Sequence, residues 1–242
     1  MLSLVFEHTD FLVVNKPTGM PMHDAQNGII PSAQVIFGVS KLWLVHRLDD
    51  ATSGCMILAK SQQAASALSQ LFERREIQKY YLAISDKKPK KKQGKIIGDM
   101  QKARNGNYKL TQSRVKPAIS QFFSFPLHPL PLASENDTSA NGANSNDSFP
   151  KGLRLFMVKP LTGKTHQIRV ALKSLGSPIL GDQRYSSSQA DRLYLHSYGL
   201  SFRYQSEHFQ LSALPLAGSL FESTIMQQCF ARCGQPWELK WP

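Results

Sequence analysis

Short apolar runs recur along the chain, and each is bounded by charged or turn-forming residues, which is the pattern of strands rather than of long helices. FLVVNK (11–16) and CMILAK (55–60) are apolar nearly throughout and predict strands buried on both faces. In IQKYYLAI (77–84) the side chains alternate, so Lys79 and Tyr81 share one face of the predicted strand. Similar runs predict further strands at SQFFSF (120–125), LRLFMV (153–158) and YLHSYGLSF (194–202).

Apolar residues spaced three and four apart predict two helices, at 61–75 and 165–175. Ser61 is the expected N-cap of the first helix, and Gly176 the expected C′ residue of the second. Strands outnumber helices and do not alternate strictly with them. The pattern therefore predicts an α+β fold with a mainly antiparallel sheet.

The stretch LTGKTHQIRV (161–170) ends in the way that a Walker A loop ends and raises the possibility of a nucleotide site. A Walker A loop needs another glycine five positions before Gly163, and Val158 stands there. Pro160 also removes one backbone donor. A nucleotide-binding enzyme remains one hypothesis, which retention of ATP would test. The other is that Gly163 to Thr165 begin a helix that binds a different anion.

Two polar stretches interrupt the apolar pattern. Residues 86–95, DKKPKKKQGK, hold six lysines and one proline and predict an exposed loop, which is either a solvated turn or a contact for a phosphate backbone. Residues 133–151 are rich in Asn and Ser and predict a flexible polar insertion. We expect residues 1–242 to form a single domain that contains this insertion.

Composition narrows the class of partner. A net charge of +12 favours a polyanion, nucleic acid before a membrane. The chain lacks the run of about 18 apolar residues that a membrane span requires. Its three cysteines argue against a disulfide framework, and no histidine spacing indicates a metal site. We therefore expect a cytoplasmic protein without a membrane partner or a bound metal.

The densest cluster of chemically active residues is LVHRLDDATSG (44–54), in which His46, Arg47 and Asp49 stand close together. From the residues alone, Asp49 belongs either to a surface ion pair of little energetic value or to an active site.

Six ordered segments, this cluster among them, resemble the RluA family of pseudouridine synthases. The resemblance implies that family's fold, a large mixed and mostly antiparallel sheet flanked by helices with a cleft across it. Short members that lack an S4-like RNA-binding domain are the most similar. The segments are FLVVNKPTGMPMH (11–23), HRLDDATSG (46–54), KYY (79–81), GKTHQIRV (163–170), GSPILGDQRY (176–185) and LHSYGLSF (195–202).

The resemblance also implies an activity, the isomerisation of a uridine in ribosomal or transfer RNA to pseudouridine, with flipping of the base and without a cofactor. Asp49 matches the catalytic aspartate and Arg169 the arginine that pairs with it. Tyr81 matches the tyrosine that packs on the uracil. Arg47 matches the arginine that takes the place of the flipped base. A catalytically silent RNA-binding protein on the same scaffold is the alternative.

The remaining candidates are contacts to RNA. Lys16 and Lys164 are expected to contact phosphates, and Lys79 to bind substrate or to act as a second cation beside Asp49. Ile168 is a further substrate-binding candidate. Lys164 replaces the family's usual arginine, so a guanidinium fork becomes a point charge. His46 and His166 are expected to form structural hydrogen bonds, and the protein to be a monomer with no obligate protein partner.

Overall fold

The computed structural model describes residues 1–127 and 152–242 of the chain. The polar insertion predicted at 133–151 lies outside the described residues. The strands are β1 (Ser3–Glu7), β2 (Phe11–Lys16), β3 (Trp43–Leu44), β4 (Ser53–Ala59), β5 (Gln78–Ser85), β6 (Gln93–Gly98), β7 (Met100–Lys102), β8 (Tyr108–Leu110), β9 (Ala118–Pro126), β10 (Arg154–Pro160), β11 (Leu195–Tyr204) and β12 (Glu207–Ser212). The helices are α1 (Ile29–Phe37), α2 (Gln62–Glu73), α3 (Gln167–Ser174) and α4 (Thr224–Cys233).

The strands build one large sheet in the order β1-β2-β4-β11-β5-β10-β9-β6, with β12 added to β11 and β3 added to β4. Among the described strands, every pairing is antiparallel except that of β11 with β4. Strands β7 and β8 form a separate two-stranded ribbon. The predicted α+β class with a mixed, mostly antiparallel sheet is confirmed.

Successive side chains of the central strands pack alternately into two hydrophobic cores, one on each face of the sheet. Along β2, Phe11 and Val13 pack in one core, and Leu12 and Val14 pack in the other. Every residue of β2 is buried for this reason, which explains why its sequence is apolar rather than alternating.

The predicted helices are present with shifted ends. Ser61 caps α2, since its side chain accepts a hydrogen bond from the backbone N–H of Ala64 at 3.1 Å. The second predicted helix, α3, begins two residues late because His166 is left-handed at φ 56°. Gly176 takes the left-handed C′ conformation at φ 76°, as expected.

Helices α1 and α4 and several strands were not predicted. Pro31 lies in the first turn of α1, where the proline has no helical N–H bond to break. Strand β1 has few fully buried side chains at the sheet edge, so its sequence lacks a strong strand pattern. The lysines at 87–92 lie exposed between β5 and β6, as expected, whereas Lys95 belongs to β6.

The parallel contact of β4 with β11 depends on Gly54, which lies opposite Ser197. A Cβ atom at Gly54 would stand 2.2 Å from the Ser197 carbonyl oxygen, and its φ is +116°. We expect Gly54→Ala to lower the free energy of unfolding by about 2–4 kcal/mol, measured by urea denaturation. The control is Gly38→Ala, at φ +65° with nothing within 4 Å, which should cost only about 1 kcal/mol. Equal losses would contradict this packing.

Candidate active site

A cavity of about 460 Å³ opens beside the loop before β4, in the size range of small-ligand sites. Its walls come from that loop, the C-terminal end of α2, strand β5, and the segment that joins β10 to α3. Sequence segments far apart in the chain thus meet at one place. Of the predicted site residues, those that line the cavity are Arg47, Asp49, Lys79, Tyr81, Lys164, Ile168 and Arg169.

Asp49 and Arg169 form an ion pair in this cavity. Arg169 Nη1 donates to Asp49 Oδ2 at 3.1 Å. A tight turn, closed by the Thr52 N–H on the Asp49 carbonyl at 2.8 Å, places the carboxylate. The Asp49 side chain is 24% exposed, so one carboxylate is both paired and open to the cavity.

Asp182 is the functional residue that sequence analysis missed. It accepts hydrogen bonds from Arg169 Nε at 2.8 Å and Nη2 at 2.7 Å, a bidentate pair, and its side chain is fully buried. The backbone N–H groups of Arg184 and Tyr185 donate to Oδ1 as well. Burial alone would lower the pKa of Arg169, but hydrogen bonds and charge from both aspartates raise it overall. Asp182 lies within GSPILGDQRY, the only signal that could have singled it out.

The two motif histidines have structural roles, as expected. His46 Nε2 accepts from the Ile57 N–H at 2.9 Å, and burial lowers its pKa to about 3, so it is neutral. His166 shares a hydrogen bond with the Tyr185 hydroxyl at 2.9 Å, and its Nε2 lies 3.8 Å from Asp49 Oδ2. Burial lowers the pKa of His166 despite the nearby Asp49 carboxylate.

Tyr81 presents its ring to the cavity from β5 and is buried on its other sides. Burial raises the pKa of its phenol to about 12, against a smaller opposing effect of a hydrogen bond with Ser197. The phenol is therefore protonated at neutral pH. Lys79, two residues earlier on the same face, also lines the cavity, as the alternation predicted.

Two lysines lie in surroundings other than those predicted. Lys16 is 0% exposed, and its Nζ donates to the carbonyls of Pro17 at 3.0 Å and Asp50 at 2.9 Å, so it cannot reach a phosphate here. No ion pair joins Lys79 to Asp49 among the described residues, where Asp49 pairs with Arg169 and His166. Lys16 instead fixes the backbone beside Asp49.

The Gly163-Lys164-Thr165 segment is held by protein contacts and does not curl into a phosphate-binding loop. The Lys164 N–H donates to Gln167 Oε1 at 3.0 Å, and Lys164 Nζ donates to the Lys116 carbonyl. Gln167 is buried and also bonds Thr162. Both donors of Lys164, its backbone N–H and its ammonium group, are engaged within the protein, which argues against the nucleotide hypothesis.

The described residues contain no cluster of His, Cys, Asp and Glu that could hold a metal ion. Among the described helices, none is long and apolar enough to cross a membrane.

Comparison with known proteins agrees with this geometry. A family model described as RNA pseudouridylate synthase matches residues 10–174. An uncharacterized RNA pseudouridine synthase of Haemophilus influenzae is 43% identical over 232 residues, which cover 94% of each chain. The chain belongs to the RNA pseudouridylate synthase family. The match to dual-specificity RNA pseudouridine synthase RluA of Vibrio parahaemolyticus, 30% identical over 85% of this chain and 79% of that one, supports the RluA branch.

The pseudouridylate synthase fold is confirmed by a solved structure. Human RNA pseudouridylate synthase domain containing 1 superimposes with a TM-score of 0.69 at 22% identity, over 88% of this chain and 83% of that chain. The expected enzyme class, an RNA pseudouridine synthase and hence an isomerase, is confirmed by family membership.

Lys16 should make the stability of this pseudouridine synthase depend on pH. Burial lowers the pKa of Lys16 from 10.5 to about 8, partly opposed by Asp50. Between these values the unfolded chain binds more protons than the folded chain, so the contribution of Lys16 to the free energy of unfolding rises with pH. From pH 8 to 10.5 we expect wild type to gain up to about 3 kcal/mol relative to Lys16→Met in urea denaturation. The control is Lys41→Met at an exposed lysine, for which the difference in free energy of unfolding from wild type should not change with pH. If the difference between wild type and Lys16→Met also did not change with pH, the low pKa of Lys16 would be contradicted.

Removing the charge of Asp182 should destabilise the fold. Asp182→Asn removes the carboxylate that accepts two hydrogen bonds from the buried Arg169 guanidinium. We expect the free energy of unfolding, measured by urea denaturation, to decrease by about 3 kcal/mol or more. Asp50→Asn, an exposed carboxylate next to the site, is the matched control and should cost about 1 kcal/mol or less. A loss at Asp182 no larger than at Asp50 would refute its role in holding Arg169.

Proposed function

We propose that this protein converts a uridine of structured ribosomal or transfer RNA into pseudouridine, with Asp49 as the catalytic carboxylate. The observation that carries the proposal is the chain of charges Asp49–Arg169–Asp182, which presents one carboxylate to a cavity of nucleotide size. Tyr81 lines the same cavity.

The reaction breaks the N1–C1′ bond, turns the uracil within the site and forms a C5–C1′ bond, which leaves the redox state unchanged and requires no cofactor. Asp49 supplies an ionised carboxylate, either as a nucleophile or as a base toward the ribose. Arg169 fixes the direction of that carboxylate through the hydrogen bond to Oδ2. The contact with Arg169 therefore suits Asp49 both as a nucleophile and as a base.

The flipped base is held by the walls of the cavity. Tyr81 offers the face for the uracil, with Ile168 as a further apolar contact. Because its pKa is about 12, Tyr81 enters the reaction as a phenol, and a role as base at C5 first requires its deprotonation. A protonated phenol is well suited to packing and to donating a hydrogen bond.

Basic residues that line the cavity are candidates to bind the RNA backbone and to fill the place that the flipped base leaves in the stack. Arg47 is exposed, and its planar guanidinium is suited to stacking where the base has left. Lys164 and Lys79 are candidates for phosphate contacts. The net charge of +12 supplies long-range attraction for RNA.

Tritium release from RNA labelled at uridine C5 tests the proposal. The RNA comes from cells that lack the gene, and the ribosomal and transfer fractions are assayed separately. We expect release by the wild type, and a decrease of at least about a thousandfold in Asp49→Asn because the reacting carboxylate is absent. Asp50→Asn, the adjacent exposed carboxylate, should retain activity.

The outcomes separate the enzyme from a silent RNA-binding scaffold. Release by wild type and Asp50→Asn, but not by Asp49→Asn, supports the proposal and identifies the RNA class. Equal release by Asp49→Asn would exclude Asp49 as the catalytic group. Binding of both fractions without release by wild type would favour the silent scaffold.

A further inference from the structure

The cavity that contains Asp49 is also lined by the C-terminal end of α2, through Phe72, Glu73 and Arg75. These residues lie outside the six segments that carry the family resemblance. Arg75 is exposed, and Phe72 is half-buried. The cavity therefore has a wall that the proposed chemistry at Asp49 does not use.

Arg75 occupies a backbone position that favours glycine. Helix α2 ends with the Glu76 N–H bonded to the Leu71 carbonyl at 2.9 Å and the Arg75 N–H bonded to the Phe72 carbonyl at 3.1 Å. This is the Schellman pattern, in which the C′ residue is left-handed, and Arg75 has φ 62°. An arginine there costs about 1 kcal/mol relative to glycine, and such strain points to a function of the side chain.

The charges around Arg75 are uncompensated. Burial and then the charge of Arg75 lower the pKa of Lys79, so the two cations repel each other. Among the described ion pairs, neither Arg75 nor Lys79 has a carboxylate partner, although the exposed Glu73 lines the same wall. Capping of the helix dipole does not require Arg75, because Arg74 already provides a cation at the helix end. A bound anion would relieve the repulsion.

An aromatic surface adjoins these cations. Phe72 stacks on the neutral His46 ring with centroids 4.2 Å apart, and Lys79 Nζ lies 5.9 Å from the Phe72 centroid. An aromatic ring beside Lys79, in a cavity wall that also holds Arg75, matches two neighbouring groups of single-stranded RNA, a base and a phosphate.

We propose that Phe72, Arg75 and Lys79 form a second subsite of the cavity, which binds the phosphodiester and the base of the nucleotide next to the target uridine. Arg75 and Lys79 bind the phosphate, and Phe72 contacts the base. The inference rests on the proposed function for the identity of the ligand. It adds a contact to a neighbouring nucleotide, so a free uridine would engage only the Asp49 part of the cavity.

Arg75→Gly tests the subsite without threatening the fold, because glycine suits φ 62°. The probe is a stem-loop RNA with an all-uridine loop, and its affinity is measured by fluorescence anisotropy over a series of KCl concentrations. We expect an unchanged or higher melting temperature, several-fold weaker binding, and a log-affinity against log-salt slope reduced in magnitude by about 0.7, the value for one single-strand phosphate contact. Arg75→Lys should keep most of the slope.

Arg74→Ala is the matched control, since it removes the same charge one residue earlier, at a side chain that lies outside this cavity. Its slope should equal that of wild type. Equal slopes for Arg75→Gly and wild type would overturn the subsite, and so would an equal decrease in Arg74→Ala. If wild type released tritium while Arg75→Gly and wild type had equal salt slopes, the subsite would be overturned and the proposed function would stand. A selective decrease in Arg75→Gly without release by wild type would support RNA binding here and count against the proposed function.

Discussion

Arg169 carries its charge at only 6% exposure, and a guanidinium so placed is stable only when its donors and its charge are both matched. Asp182 takes two of its N–H groups and lies wholly within the protein, where two backbone N–H groups also bond to it. Asp49 takes a third N–H group from the side of the cavity. The two carboxylates and the one guanidinium carry a net charge of −1. Of the two carboxylates only Asp49 reaches the cavity, so this negative charge is exposed there. The site thus directs one carboxylate at whatever enters the cavity.

The fold holds both ends of this interaction in place. The turn that carries Asp49 is fixed from β2, because Lys16 Nζ and the Gly19 N–H both donate to the Asp50 carbonyl and the Thr18 hydroxyl donates to the Ala51 carbonyl. The segment that leads to Arg169 is fixed through Gln167, which bonds Thr162 and the Ile119 carbonyl. Neither end depends on a flexible surface contact. The hydrogen bonds that hold this geometry come from the protein itself, which is the kind of preorganisation that electrostatic catalysis uses.

The spacing of apolar and polar residues was enough to predict those features of the fold that depend on the sequence of a single strand or helix. Strand β2, the alternation of Lys79 and Tyr81, and the caps at Ser61 and Gly176 are of this kind. The hydrogen bond from Lys16 to the Asp50 carbonyl and the pairing of Arg169 with Asp182 join residues 34 and 13 positions apart, and the pattern of a single strand or helix indicates neither. A lysine in a basic protein also looks like an RNA contact until its carbonyl partners are known. The ion pair of Asp49 with Arg169 was expected only through the family resemblance.

The cavity has a carboxylate, Asp49, on one side and the cations Arg75 and Lys79 near the end of α2, and this arrangement affects where an RNA phosphate can lie. Phosphates are repelled by Asp49 and attracted by cations that have no carboxylate partner. Arg169 is neutralised by two aspartates and cannot serve as a phosphate contact, whereas Arg75 and Lys79 stand without such partners among the described residues. For a strand that crosses the cavity, a phosphate beside Arg75 and Lys79 is therefore electrostatically more favourable than a phosphate beside Asp49. The same division keeps phosphates away from the Asp49 carboxylate.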